Sequence, residues 1–413
     1  MKKTRKPTPS ANPKAGTAYR HFGLKTDPFT TLSLQGHNLD YFVGRTALID
    51  RLSSALFSVS NIGVAGEPGV GKSSLLQLLK NRVPKEFHCV SIGVPLDDAS
   101  YFLSELLREM LVAIPPVPGL HFKEMGRRLE EGLTKNAVFS LIRSITSRLK
   151  KPLLVFVDDL EKIKGDRVQH LTRSERTLQL LEELKALLEL PNVGFIMALQ
   201  EEFYAKVGQV VREGAEPTVL GLFKHMVLVE KFSQAELKLI LWTRLRRAGF
   251  KGEVEDFLEP EALTLALSLA GGNARRFIYL LSEGMYRGFQ RKGRRVEFQD
   301  LFEAVNEHLK LDLVCKKLLY FLAKSGRAVA SNSDLQAFMG LDMISIARRL
   351  ETLSKNRLAE MVDVADGAKV FALPGSREAG SDAAPQPSIR VIQTAGGEKL
   401  FNLSPDDKNG KPS

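Results

Sequence analysis

Gly66-Glu67-Pro68-Gly69-Val70-Gly71-Lys72-Ser73 is the stretch on which the reading of this chain turns. An apolar run, Ile62-Gly63-Val64-Ala65, precedes it, and a helical pattern from Ser74 to Lys80 follows. Strand, glycine loop and helix stand in the order a phosphate-binding loop needs, and the G-x-x-x-x-G-K-S spacing is complete. Glycines let the backbone curl so that successive N–H groups face an anion. The helix behind the loop offers its free N–H groups and positive dipole end to the same anion. Lys72 is expected to reach the β- and γ-phosphates, and the Ser73 hydroxyl to ligate Mg²⁺. The expected nucleotide set is Gly66, Glu67, Pro68, Gly69, Val70, Gly71, Lys72, Ser73 and Ser74. The competing reading, a glycine-rich turn that matches by chance, does not explain the strand and helix on either side.

A second landmark lies downstream. Pro152-Leu153-Leu154-Val155-Phe156-Val157 is an apolar run that ends in Asp158-Asp159. Such a run reads as a buried parallel strand with acids at its C-terminal end, where ligands bind in open α/β sheets. Asp158 is expected to hold Mg²⁺ and Asp159 to orient or deprotonate the attacking water. The plainer alternative is a pair of acids capping a helix. Further strands are expected at Phe87–Val94, Asn192–Gln200 and Met226–Val229. Helices are expected at Thr46–Ser58, 99–113, Asn136–Lys150 and Thr177–Leu190, with a break at 114–119 and a polar loop over 162–175. Alternating strands and helices between about 60 and 230 predict a doubly covered parallel sheet.

Beyond residue 230 the pattern is helical. Ser233-Gln234-Ala235-Glu236 has capping-box spacing and opens a helix running to Arg247. Gly271-Gly272 ends one helix and Asn273 caps the next, which puts Arg275 at a helix start. From Leu309 to Leu373 the order changes to helix, helix–turn–helix and a hairpin around Asp366-Gly367, which reads as a winged helix. Its second paired helix, Asp342–Asn356, would turn Ser345, Arg348, Arg349 and Lys355 to solvent as candidate DNA contacts. A winged helix that contacts protein is the alternative.

The chain has 413 residues and a net charge of +11, enough for two or three domains and basic enough to favour a polyanionic partner, nucleic acid first. No apolar run approaches the ~20 residues of a membrane span, and the basic N-terminus lacks the apolar core of a secretory signal. Cys89 and Cys315 show no metal-type spacing. Both are expected to be buried, in a reducing, cytoplasmic setting. Residues 1–18 read as a disordered basic arm and those from 376 onward as a disordered tail. Phe22, Phe29, Tyr41 and Phe42 either cover an adenine ring or pack the start of the domain. The basic stretches Arg244–Arg247 and Arg287–Arg295 are either further backbone contacts or solvated helix faces.

Together these motifs resemble the AAA+ ATPases, specifically the initiator clade that includes the archaeal and eukaryotic origin-recognition proteins. The resemblance covers about residues 22–373. It rests on the Walker A loop Gly66–Ser73, the Walker B strand ending in Asp158-Asp159, Asp40-Tyr41-Phe42-Val43-Gly44-Arg45 and Gly271-Gly272-Asn273-Ala274-Arg275. It implies a P-loop α/β domain over residues 19–231, a helical lid over 232–308 and a C-terminal winged helix over 309–375. It further implies ATP and Mg²⁺ as cofactors, an adenine pocket lined by Tyr41, Phe42 and Val43, and Arg275 as the lid arginine on the phosphates. Asp159 stands where the family has Glu, which implies slow or partner-stimulated hydrolysis. Gln200 is the sensor-1 candidate, and Arg212 and Lys224 are the arginine-finger candidates. The implied function is an ATP-dependent switch on double-stranded DNA, in replication-, transposition- or defence-type transactions, with ATP-dependent homo-oligomers. The alternative is a signalling or scaffold ATPase with a protein partner and little turnover.

Overall fold

The computed structural model describes residues 15–31, 34, 36–93, 98–158, 160, 173–205, 219–309, 311–356, 358–365, 368–374 and 391–392. Asp159, Arg212, residues 162–172 of the expected polar loop, the turn Asp366-Gly367 and almost all of the tail lie outside them, as do residues 1–14. The chain divides into two compact units. The described residues within 34–39, 44–230 and 391–392 form an α/β unit; 15–31, 40–43 and 231–374 form a helical one.

Helix α1, Ala15–His21, opens the described chain. It begins inside the stretch expected to be a disordered arm, because Ala18 and the following Phe22 and Phe29 are buried in the helical unit's core. In the α/β unit come α2 (Thr46–Leu56), β1 (Asn61–Gly66), α3 (Lys72–Asn81), β2 (His88–Ile92), α4 (Ala99–Ala113), α5 (Phe122–Gly132) and α6 (Lys135–Thr146). Then follow β3 (Leu153–Val157), α7 (Arg173–Glu183), a short turn Lys185–Leu188, β4 (Val193–Gln200) and β5 (Phe223–Leu228). The helix expected over 177–190 therefore starts earlier and breaks at Leu184. Helix α5 had no counterpart in the sequence reading; its one buried stripe is Met125 and Leu129, four residues apart.

The sheet order is β2-β3-β4-β1-β5, parallel throughout, with a short antiparallel strand β9 (Val391–Ile392) on the β5 edge. That strand falls within the expected tail. The three central strands are buried along nearly their whole length, which is why they read as unbroken apolar runs. The outer strand β2 is only partly covered, so Cys89 is half-exposed rather than buried; Cys315 is buried as expected. Asn61 is the polar exception in β1. Its amide donates to the carbonyls of Leu188 and Leu222, at 2.9 and 3.2 Å, and accepts from the Phe195 N–H. It thereby satisfies three backbone groups at the N-terminal end of the strands, two of the bonds fully buried.

The helical unit contains α8 (Gln234–Arg247), a turn Val254–Phe257, α9 (Pro260–Ala270), α10 (Ala274–Gln290), α11 (Phe298–Leu309) and α12 (Leu313–Ser325). Strand β6 (Arg327–Val329), α13 (Ser333–Met339), α14 (Met343–Lys355), β7 (Glu360–Ala365) and β8 (Ala368–Ala372) follow. The three strands form an antiparallel sheet in the order β6-β8-β7. The capping box at Ser233 and Glu236 is formed. Gly271 and Gly272 both have positive φ, and a Cβ on Gly272 would lie 2.6 Å from the Phe232 carbonyl oxygen. Only glycine fits there.

Residues 19–31 were expected in the α/β domain but pack in the helical unit. Phe257 is the reason. Phe22, Phe29 and Phe250 all set their rings about it, at centroid distances of 5.6, 5.8 and 5.7 Å. Arg244, 4% exposed, adds a polar tie by donating to the carbonyls of Pro28 and Thr30. Burial pulls its guanidinium down to about 10, so it still carries its charge at neutral pH.

Candidate active site

The glycine loop crosses from β1 to α3. Gly69 and Gly71 take φ of 89° and 97°, values that L side chains rarely adopt. Gly71 is the N-cap of α3 and supplies no side-chain cap, so the first N–H groups of the helix face the loop mouth. Lys72 is 6% exposed. Its ammonium donates to the carbonyls of Gly66, at 2.7 Å, and Glu67, at 3.0 Å. The loop's own backbone therefore holds the charge against the place where phosphate oxygens would sit.

The acid comes from elsewhere in the sheet. Strand β4 lies between β1 and β3, yet the Ser73 hydroxyl reaches across to donate to the Asp158 carboxylate at 3.0 Å. The Asp158 N–H is bonded to the Ile92 carbonyl, which continues the β2–β3 ladder one residue past the strand. A hydroxyl and a carboxylate side by side suit a hard, oxygen-seeking cation. Among the described residues no group of three or more His, Cys, Asp or Glu gathers to hold a metal. A Mg²⁺ held by Ser73 and Asp158 would complete its shell with phosphate and water, the usual arrangement for that ion. The residues present thus fit both the nucleotide and the metal.

Gln200 is the last residue of β4 and stands in register with Gly66 of β1. It ends the strand, and a helical turn begins at Glu201. Lys224 is exposed near the start of β5, where Phe223 pairs with Asn61. It is therefore at the opposite end of the strands, on the order of 13 Å of strand from the phosphate loop. Ser74 accepts a bond from the Leu34 N–H at 3.1 Å, which fixes the start of α3 to the segment ahead of α2.

The remaining expected contacts lie in the helical unit. Arg275 is exposed in the first turn of α10, behind the Asn273 cap. Tyr41 has the Arg244 and Arg247 guanidinium groups over its ring, at 5.5 and 6.0 Å, and Arg247 also pairs with Asp40. Val43 packs on the helical core. Phe42 is half-buried. Phe22 and Phe29 are core residues.

On α14 the candidate DNA contacts divide. The Ser345 hydroxyl is taken up by the Asp342 carboxylate that caps the helix, and Arg349 pairs with Asp312. Arg348 and Lys355 are exposed. Met343 and Ile344, 49% and 60% exposed, begin the same helix. The two basic stretches are largely neutralised within the unit. Arg246 pairs with Glu253, Arg291 with Asp300 and Glu297, and Arg295 with Glu259. These arginines brace helices rather than forming a uniform cationic stripe.

The residue that sequence reasoning passed over is Arg45. It ends the Asp40–Arg45 motif, and its guanidinium donates to the Val70 carbonyl in the phosphate loop at 2.7 Å and to the Glu230 carbonyl after β5. Nothing in its local sequence marks these two contacts, because both are to main-chain oxygens.

Residues 41–196 match the family model for the AAA ATPase domain. Among solved structures, Cdc6p from Pyrobaculum aerophilum is similar with a TM-score of 0.53 and 13% identity, over 84% of this chain and 96% of that one. The Aeropyrum pernix ORC1 protein in complex with DNA is 19% identical, over 84% and 93% of the two chains, with a TM-score of 0.45. Drosophila ORC bound to DNA is 12% identical, over 92% and 94%, with a TM-score of 0.46. No helix among the described residues is long and apolar enough to cross a membrane. Residues 41–196 thus match the AAA ATPase domain, and the chain shares the P-loop α/β fold of the Cdc6 structure.

Proposed function

We propose that this protein binds ATP with Mg²⁺ in the Gly66–Ser74 loop, hydrolyses it slowly or on stimulation by a partner, and uses the cycle to control engagement of double-stranded DNA. The observation that carries the reading is the convergence of Lys72, Ser73 and Asp158 at one sheet edge from two separate stretches of sequence. When bound, Mg²⁺ would neutralise phosphate charge. Lys72 would hold the β- and γ-phosphates, and Ser73 and Asp158 would position the ion. Asp159, the next residue, would orient the attacking water, and Gln200 would face it from the end of β4. Arg275 would act on the phosphates as the lid arginine, and Tyr41, Phe42 and Val43 on the adenine.

The DNA contact is assigned to a winged helix over residues 309–375, with α14 as the reading helix and Arg348 and Lys355 as its phosphate contacts. The net charge and the helix, strand, helix, helix, hairpin order support this reading. We place the protein in the cytoplasm, as an ATP-dependent homo-oligomer. The test is duplex binding with and without ATP, in wild type and Lys72→Ala, across a salt series. Affinity that needs ATP and falls with salt is expected. Absence of duplex affinity at low salt overturns the DNA assignment.

A second reading has its own observation. Met343 and Ile344 on α14 and Phe338 on α13 are exposed apolar residues, which suits a protein partner. Loss of a protein partner with unchanged DNA behaviour, on substitution of Met343 and Ile344 by serine, would favour that scaffold role.

A further inference from the structure

Arg45 joins two backbone sites that no strand pairing connects. Its carbonyl accepts the first bond of α2, from the Ile49 N–H. Its backbone sits at φ 59°, ψ 28°, a left-handed conformation disfavoured for an L residue. From there one arm of the guanidinium reaches the Val70 carbonyl at 2.7 Å and the other the Glu230 carbonyl. The second contact lies just past the β1–β5 ladder, whose last bond runs from the Val229 N–H to the Ala65 carbonyl at 2.7 Å.

The Val70 contact bears on phosphate binding through peptide geometry. The Val70 carbonyl and the Gly71 N–H belong to one trans peptide, so they point in opposite directions. Holding the oxygen on Arg45 turns the Gly71 N–H away from the arginine. Glycine follows Val70, so this peptide can rotate at little cost when nothing restrains it. A charged, two-armed donor is the kind of group that removes that freedom.

We propose that Arg45 is a positioning residue for the nucleotide: it locks the Val70–Gly71 peptide with its N–H presented to the bound phosphates and ties that peptide to the chain leaving β5. Its contact with the Val70 carbonyl has it act through the loop. The inference rests on the nucleotide reading given above.

Arg45→Gly is the decisive variant, because glycine accepts the left-handed backbone without strain and only the guanidinium is lost. Arg45→Lys keeps the charge and a single donor position. Binding of MgATP and MgADP is measured by calorimetry for wild type, Lys72→Ala, Arg45→Gly and Arg45→Lys, with thermal unfolding as a check on folding. Arg45→Gly is expected to weaken both nucleotides about ten- to a hundredfold, equally for ATP and ADP, since each carries the phosphates the loop holds. Arg45→Lys should recover part of the loss, and millimolar methylguanidinium should restore binding to Arg45→Gly, which a merely structural defect would not allow. If wild type binds and Lys72→Ala does not, but Arg45→Gly binds like wild type, the inference is overturned. It is overturned equally if Arg45→Gly is weak and neither lysine nor methylguanidinium restores it. If wild type itself does not bind, or Lys72→Ala binds as well as wild type, it is the nucleotide reading that fails.

Discussion

The Ser73 hydroxyl donates to the Asp158 carboxylate across 3.0 Å, although 85 positions separate the two in sequence. One is set by the first turn of α3 and the other by the end of β3, with β4 between the two strands at the sheet level. Removing the acid should leave the glycine loop intact and abolish its metal partner. Asp158→Asn is expected to lower ATP turnover by roughly a hundredfold while the fold is retained. Steady-state phosphate release across a Mg²⁺ series measures it; turnover equal to wild type at saturating Mg²⁺ would remove Asp158 from the site.

Lys72 is held inside the loop by the Gly66 and Glu67 carbonyls. Lys72→Ala should weaken ATP by about a hundredfold or more, since a charge-assisted contact to phosphate is lost in a largely buried setting. Fluorescent-nucleotide titration gives the number, and an unchanged Kd would contradict the assignment.

Arg244 anchors the segment before the α/β unit to α8 through Pro28 and Thr30. Truncating it strands two carbonyl acceptors and removes packing beneath Tyr41. Arg244→Ala should cost roughly 3 kcal/mol of stability, read by urea unfolding. Phe257→Ala, which empties the centre of the aromatic cluster, should cost about 3–5 kcal/mol in the same assay.

A charge reversal on α14 has to leave Arg349 out. Arg349 is paired with Asp312, so reversing it sets two carboxylates together and perturbs the fold. Arg348→Glu with Lys355→Glu avoids that pair. If α14 meets DNA, the double variant should bind duplex more weakly and lower the salt slope by about one per lost phosphate contact. An unchanged slope would exclude these two residues from the interface.

His225 on β5 is half-buried, and its pKa lies below the ordinary histidine value, first through burial and then through Arg51 and Lys224. His88 shifts the same way, through burial and Lys151. A depressed folded-state pKa means that the unfolded chain takes up protons first. The contribution to stability is complete above the unfolded value of about 6.5 and is lost as pH falls from there toward the folded pKa. Thermal unfolding between pH 7.5 and 5 should show this fall, and His225→Gln should flatten it. A His225→Gln profile identical to wild type would assign the fall to other groups.

The sequence by itself determined the phosphate loop, the acid-ended strand and the capped helix starts at Ser233 and Asn273. Those are local matters: glycines where φ must be positive, Asp, Asn and Ser caps at helix starts, and unbroken apolar runs where strands are covered on both faces. Gly66–Ser73, Asp158, Ser233 with Glu236, and Gly271–Asn273 could all be read because each carries its own reason within a few residues. Only the tertiary structure decided what each charge is used for. Arg244, Arg291 and Arg349 look like free cations in a one-dimensional reading, and each is committed to a partner tens or hundreds of positions away or across a turn. Arg45 was invisible for the complementary reason. The Val70 and Glu230 groups it holds are carbonyl oxygens, which every residue possesses, and no side-chain pattern records which of them a folded chain will bring within 3 Å.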